Sequence, residues 1–345
     1  MPVLVLLILA LLLPAPAGAA TRRSTKKVPT RRHTVHKTAA SAPINPDAVN
    51  DPGLAKPVGP ASSQSAILRA QILLARAHFS CGEIDARYGD NLRGTISDFQ
   101  EAHGLPRSGT LDAAAWKILN ADGGPALIRV PLAPEDVAGP FTPIPEDMMD
   151  KAKLPALGYS SPLEGIAEKY HASPALLQKL NPGARFETAG DEILAPNVLV
   201  ALPVALPDKA ASVVVSKSRR SVAALGADGR ILARYPATIG SEHDPLPLGK
   251  WKILGVARNP PFHYNPELFW DAKESQEKTQ IAAGPNNPVG VAWIDLSKEH
   301  YGIHGTPEPS QIGKTQSHGC IRLTNWDVQE LSKMVAPGTP ALLEE

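Results

Sequence analysis

Proline is the residue type that most restricts this chain: it fills 35 of 345 positions, about twice its average usage. It lacks a backbone N–H and breaks helix interiors. At this density it excludes a helical bundle or coiled coil for the chain as a whole and favours turns, linkers and short strands. The length points to two or three domains. Two cysteines exclude a disulfide scaffold and an all-cysteine zinc site. A net charge of +1 provides no global basic field, so no nucleic-acid partner is expected.

The charge is unevenly spread, because residues 21–60 carry eight Lys/Arg against two Asp/Glu. Ahead of them, Val3 to Leu13 is a run of eleven apolar residues, short of the roughly 17–25 that span a bilayer. Pro14 and the cleavage-like Ala17-Gly18-Ala19 follow. Residues 1–20 therefore read as a secretory signal peptide. No Lys or Arg precedes the apolar run, which leaves an uncleaved anchor as the alternative. The expected location is exported, in the periplasm or cell envelope. Residues 21–60 are aperiodic and read as a basic disordered linker, either a solvated spacer or a tether to an anionic surface polymer or lipid head groups. His33 and His36 lack further ligands for a metal.

Residues 61–121 read as a small helical domain. Leu68, Ile72, Ala75 and Phe79 repeat at helical spacing, as do Leu92, Ile96, Phe99 and His103. Asp112 can cap a third helix bearing Trp116. A Pro-rich linker is expected at 122–154. In residues 155–205, Ser161-Pro162-Leu163-Glu164 opens a helix as a capping box, Ser173-Pro174 opens another, and Ile193-Leu194-Ala195-Pro196 reads as a closing strand. Residues 211–345 read as many short strands, among them Ser212 to Ser216, Ser221 to Leu225 and Gly302 to His304, with one late helix capped by Thr324, and Asp228-Gly229 signals a hairpin. That pattern predicts an all-β sandwich or barrel-like fold.

The chemistry concentrates in Ile303-His304-Gly305-Thr306 and Ser317-His318-Gly319-Cys320-Ile321-Arg322-Leu323. A free thiol is only a few per cent ionised at neutral pH. A nearby imidazole can take its proton and hold the thiolate as an ion pair, and Arg322 adds positive potential. Glycine permits a tight turn whose backbone N–H groups form an oxyanion hole. The combination predicts acyl transfer through a thioester. Two competing readings are a buried structural Cys320 and a zinc site of His304, His318 and Cys320. The aromatic-rich stretch Arg258 to Asn287 reads either as a lid over the site or as a satellite core under a loop.

Three resemblances attach to these residues. Gly82-x-x-Asp85-x-x-Tyr88-Gly89, Phe99-Gln100, Gly104-Leu105-Pro106 and Gly109-x-Leu111-Asp112 resemble the type 1 peptidoglycan-binding domain, with Ala86 where that family usually has Gly. Ile166 to Tyr170, Leu180-Asn181-Pro182-Gly183 and Ile193 to Pro196 resemble a small α+β LysM module, without its usual first junction. The His304 and Ser317–Leu323 motifs, with Asn325 and Asp327, resemble the L,D-transpeptidase catalytic domain of the YkuD family. Ile239-Gly240, Pro247 to Lys250 and Asn287 to Gly290 also fit, and Leu246 stands where relatives often have Thr.

The last resemblance implies that Cys320 attacks a peptide carbonyl with His304 as proton acceptor. Gly319 and Cys320 would supply the oxyanion N–H groups, while Ser317, His318, Gly305 and Arg322 shape the site and its substrate contacts. It implies peptidoglycan stem peptides and glycan as partners, and an acceptor amine on another stem or on a wall-linked protein. No cofactor is implied, and carbapenem β-lactams are implied as inhibitors. A hydrolase on the same thiol and a non-catalytic wall-binding scaffold are the alternatives.

Overall fold

The computed structural model describes residues 43–198 and 209–345. The expected signal peptide and the basic arm up to residue 42 lie outside the described residues. The expectation of disorder through residue 60 fails over 43–60. Helix α1 (Pro46–Asn50) is capped by the Asn45 side chain, and Val49 and Val58 are fully buried. The Asn50 side chain also bonds both backbone groups of Leu127, at 2.7 and 3.0 Å.

The helical domain contains α2 (Gln64–Arg76), α3 (Asp90–Ala102) and α4 (Ala113–Leu119). Ser63 and Asp112 accept the N–H groups of Ala66 and Ala115, so both ends are capped by the short polar residues that precede them. Leu68, Ile72, Ile96, Phe99 and Trp116 are fully buried. Phe79 lies beyond the end of α2 but packs edge-on against Phe99 at 5.2 Å. Ala86 adopts φ of 59°, the left-handed conformation that favours glycine. It is pinned there by Gln71, whose Oε1 accepts its N–H at 2.8 Å. The turn geometry is thus kept without the glycine. Ala86→Gly should raise stability by about 0.5–1 kcal/mol, relief of left-handed strain less the entropy of the freed backbone. A shift of the urea midpoint checks this, and a lower midpoint would contradict it.

The second module is larger than the sequence indicates. Strand β1 (Leu127–Pro131) pairs antiparallel with β2 (Glu192–Pro196), Leu127 opposite Pro196. Between them come α5 (Pro134–Val137), α6 (Met148–Lys151), α7 (Pro162–Lys169) and α8 (Pro174–Leu180). Part of the expected 122–154 linker is therefore the module's first strand, followed by an insert before α7. Ser161 accepts the Glu164 N–H, but the Glu164 carboxylate returns to the N–H of Ser160, one residue before the cap. The helical domain and this module share one apolar core running from Val49 to Ala195.

The third part has strands β3 (Ser212–Ser216), β4 (Ser221–Leu225), β5 (Ile231–Pro236), β6 (Thr238–Ile239), β7 (Gly249–Arg258), β8 (Phe262–Tyr264), β9 (Thr279–Ile281), β10 (Ala292–Leu296), β11 (Gly302–His304), β12 (Ile321–Arg322) and β13 (Pro340–Glu344), with α9 (Asn325–Met334) before the last. Nine of them form one sheet in the order β5-β4-β3-β13-β7-β10-β11-β12-β6. Its two outermost strands, β5 and β6, are separated in the chain by Ala237 alone. One residue cannot bridge a flat nine-stranded sheet, so the sheet curls until its ends nearly meet, the barrel-like form expected. Helix α9, capped by Thr324, buries Val328 and Leu331 in its core.

The domains are docked, not strung out. The free edge of β5 is covered by His78–Ser80, with Arg234 N–H on His78 O at 2.9 Å and Ser80 N–H on Arg234 O at 2.8 Å. The Arg234 guanidinium enters the helical domain and reaches Asp98 at 3.0 Å, with both side chains buried. On the other flank, Glu168 of α7 accepts from Asn325 Nδ2 at 3.1 Å, and His171 stacks on Trp326 at 5.0 Å.

Candidate active site

Strands β11 and β12 are parallel neighbours, with Ile303 opposite Ile321 and His304 opposite Arg322. Side chains alternate along a strand. Cys320 and Arg322 are two residues apart, so they and His304 share one face of the sheet. Ile303 and Ile321 are fully buried on the opposite face. The two motifs, remote in sequence, therefore present their reactive groups together. All three line a cavity of about 1050 Å³, together with His318, Trp293, Tyr301 and the aromatic stretch 262–269.

His304 is buried, and the Trp293 ring stacks on it at 5.4 Å. Its Nδ1 lies 2.7 Å from Gly305 O. A carbonyl only accepts, so Nδ1 carries the proton and Nε2 keeps its lone pair. Burial, aided by Arg322, pushes the imidazole down to about 3. Burial likewise raises the Cys320 thiol above its ordinary value, only partly opposed by a backbone hydrogen bond from Gly302 and by Arg322. Both shifts favour the uncharged forms, thiol and imidazole, over the ion pair expected from sequence. The Sγ atom rests 3.7 Å from His300 O, a weak sulfur contact.

The other predicted site residues divide by role. Gly319 has φ of 95°, and a Cβ there would come within 2.9 Å of the Tyr301 ring. Gly319 and Cys320 directly precede β12, whose Ile321 pairs with Ile239 of β6, so the turn is anchored to that ladder. Ser317 is turned away from the cavity: its Oγ donates to Cys320 O at 2.6 Å and its N–H to Gly240 O at 3.0 Å. These bonds close the loop, and Ser317 does not line the cavity. Gly305 packs against Asn325, where a Cβ would overlap the amide oxygen. Arg322 is half-buried at the cavity wall and has no ion pair among the described residues.

His318 is held from across the cavity by Asp271, with Nε2 to Oδ1 at 2.9 Å, and lies edge-on to Phe269 at 5.1 Å. Those partners lie between β8 and β9, which pair as a hairpin. The aromatic stretch is both of the things read from sequence. Phe262, Tyr264 and Phe269 line the cavity and also meet a small apolar core. Among the described residues, no three His, Cys, Asp or Glu side chains converge as metal ligands, so His304, His318 and Cys320 do not make a zinc site.

Trp293, Tyr301 and Asp271 are site residues that sequence reasoning missed, and no motif marks them. Asn325 was visible only as part of a pattern, yet it ties the start of β10 to α7: its Oδ1 accepts the Val291 N–H at 3.2 Å while its Nδ2 reaches Glu168. Cys81 is unpaired and buried in the helical domain, and burial drives its thiol upward. Cys81→Ser should keep activity while Cys320→Ser abolishes it. Equal loss in both, read as product formation, would undo this assignment.

Comparison with known proteins bears on this geometry. Residues 210–343 match the YkuD family, described as "L,D-transpeptidase catalytic domain", and residues 63–119 match "Putative peptidoglycan binding domain". A "Putative L,D-transpeptidase YkuD" of Bacillus subtilis is 33% identical over 178 residues, covering 51% of this chain and 90% of the relative. The protein of the same name in Bacillus licheniformis is 34% identical over 179 residues, again 51% and 90%. A "Probable L,D-transpeptidase YbiS" of Escherichia coli is 27% identical over 189 residues, 53% of this chain and 60% of the relative. Each of these alignments is longer than the matched catalytic span, which ends two residues before the last one, and so extends upstream of residue 210.

Proposed function

The chain belongs to the YkuD family of L,D-transpeptidases, and from that membership we propose that it cross-links peptidoglycan through a thioester on Cys320. The observation that carries the mechanism is the fixed tautomer of His304: Nδ1–H on Gly305 O leaves Nε2 as a base in the cavity that Cys320 lines. In the first half-reaction the thiol turns from His300 O toward His304. Sγ attacks the carbonyl of the third residue of a tetrapeptide stem while its proton passes to Nε2. The N–H groups of Gly319 and Cys320 hold the oxyanion. Collapse breaks the peptide bond, and His304 returns the proton to the amine of the departing D-Ala. In the second half-reaction an acceptor amine attacks the thioester and gives up a proton to His304, and Cys320 recovers its thiol.

A neutral resting pair suits this sequence. Imidazolium would have no lone pair to accept a proton, and burial by Trp293 and the sheet keeps His304 uncharged at neutral pH. Arg322, without an ion pair among the described residues, is suited to orient a stem carboxylate. The 63–119 domain supports attachment to the wall, which raises the local concentration of weakly bound stems. The substrate lies outside the cytoplasm, and this reading puts the chain in the cell envelope. The second module, with its β1–α7–α8–β2 core, is assigned here as LysM-like.

Incubation of the full chain with disaccharide-tetrapeptides, followed by mass spectrometry, tests the reading. Cross-linked dimers with released D-Ala are expected. Uncross-linked tripeptides alone would make the protein a hydrolase on the same thiol, and no product would leave a wall-binding scaffold.

A further inference from the structure

We propose that the insert in the second module is a strap that holds the catalytic lid in place, with Leu157 as its anchor and Glu146, Asp147 and Met148 forming part of the active-site wall. The catalytic motifs all lie beyond residue 209, yet these three residues line the same cavity as Cys320 and His304. The substrate cleft is therefore completed by a segment from outside the catalytic domain. The proposal rests on that cavity being the substrate site.

The contacts between strap and lid are of three kinds. Leu157 is fully buried with Tyr264 and Ile281, one from each strand of the lid hairpin, and Ile144, Met148 and Leu154 pack around them. The Leu157 backbone is bonded on both sides: its N–H donates to Ala283 O at 2.9 Å and its carbonyl accepts the Asn286 N–H at 3.0 Å. Gly284 sits so close that a Cβ would overlap the Leu157 carbonyl. Nearer the cavity, Asp147 Oδ2 meets Lys273 Nζ at 3.1 Å and Gln276 Nε2 at 3.4 Å. Both partners belong to the loop that carries Asp271 and Phe269 onto His318.

These contacts are unequal. Lys273 is largely exposed, and ion pairs of that kind contribute little. A fully buried leucine flanked by two backbone hydrogen bonds contributes more. Leu157 is thus the anchor, and Asp147 a positioning residue that aligns the loop already anchored. Through Asp271 the strap also fixes where His318 stands.

The test uses the full chain with Leu157→Ala, Asp147→Asn and the double variant, followed by amide hydrogen exchange. For Leu157→Ala, exchange over residues 262–281 should quicken by at least about tenfold, while α2, α3, β3 and β4 keep their protection. KM for a disaccharide-tetrapeptide should rise by about tenfold with a smaller change in kcat. Alkylation of Cys320 by iodoacetamide should hold or rise. Asp147→Asn should act in the same direction more weakly, and add less in the double variant than it does alone. Unchanged exchange over 262–281 in Leu157→Ala would overturn the proposal, as would full additivity. If Leu157→Ala loses protection throughout the chain, Asp147→Asn decides: native exchange and native KM in that variant also overturn it. Exchange requires no turnover, so an inactive chain that still shows lid release refutes the proposed function and not the strap.

Discussion

His304→Ala should slow acylation of Cys320 by a carbapenem roughly 10²–10⁴-fold, and Cys320→Ala should abolish the adduct seen by intact-mass spectrometry. The first effect follows from the fixed tautomer. With Nδ1–H on Gly305 O, Nε2 is the base that the site offers the thiol. The thiol cannot compensate by ionising beforehand, because burial raises it. His318→Ala should cost less. Its Nε2 is already committed to Asp271 and its ring to Phe269, so its removal loosens the lid and leaves proton transfer intact. A larger loss at His318 than at His304 would exchange the two roles. An adduct on Cys320→Ala would remove the nucleophile assignment altogether.

The second large effect should appear in stability. Asp98→Ala should destabilise the chain by about 3–5 kcal/mol, the usual cost of leaving a buried charge unpaired. Arg234 is then stranded between the helical domain and β5, with only Thr95 Oγ1 at 2.6 Å and the Ser80 carbonyl at 3.3 Å as partners. Arg234→Ala should cost less, because Asp98 keeps Arg107 at 2.8 Å. The double replacement Asp98→Leu with Arg234→Met should recover most of the loss, since no charge remains buried there. Denaturant titration, followed by probes in each domain, checks the order. Equal losses for the two alanine variants would mean that the pair acts by packing alone.

The catalytic domain was the most legible part of the chain. Strands at 212–216, 221–225 and 302–304 fall where short apolar runs and turn residues predict them. Caps at Asp112, Ser173 and Thr324 fall on the short polar residues that precede their helices. These are local effects, written within four or five consecutive residues. Strands β6 and β12 have only two residues each and were not read. So short a strand has no periodicity of its own: β12 exists because β11 and β6 bond it on both sides, and β6, at the end of the sheet, because β12 does. Strand β1 was missed for another reason: it lies in a Pro-rich stretch, and its partner β2 is some sixty residues away.

The same division holds for the site. The sequence by itself determined the reactive groups, because Gly319, Cys320 and Arg322 fall within four consecutive residues and His304 belongs to the same pattern. It also determined the turn at Gly319, whose conformation only glycine enters freely. The tertiary structure decided the rest. The pairing of β11 with β12 puts His304 and Cys320 on one face, and burial favours the uncharged form of each. Ser317 becomes a loop closure, and the His78–Ser80 segment covers the open edge of β5. Leu157 reaches across to Tyr264 and Ile281. Contacts of that kind join residues a hundred or more positions apart, and their strength comes from excluding water between surfaces. No local pattern encodes which surface will meet which, so the domain order could be read from the sequence while the docking and the strap could not.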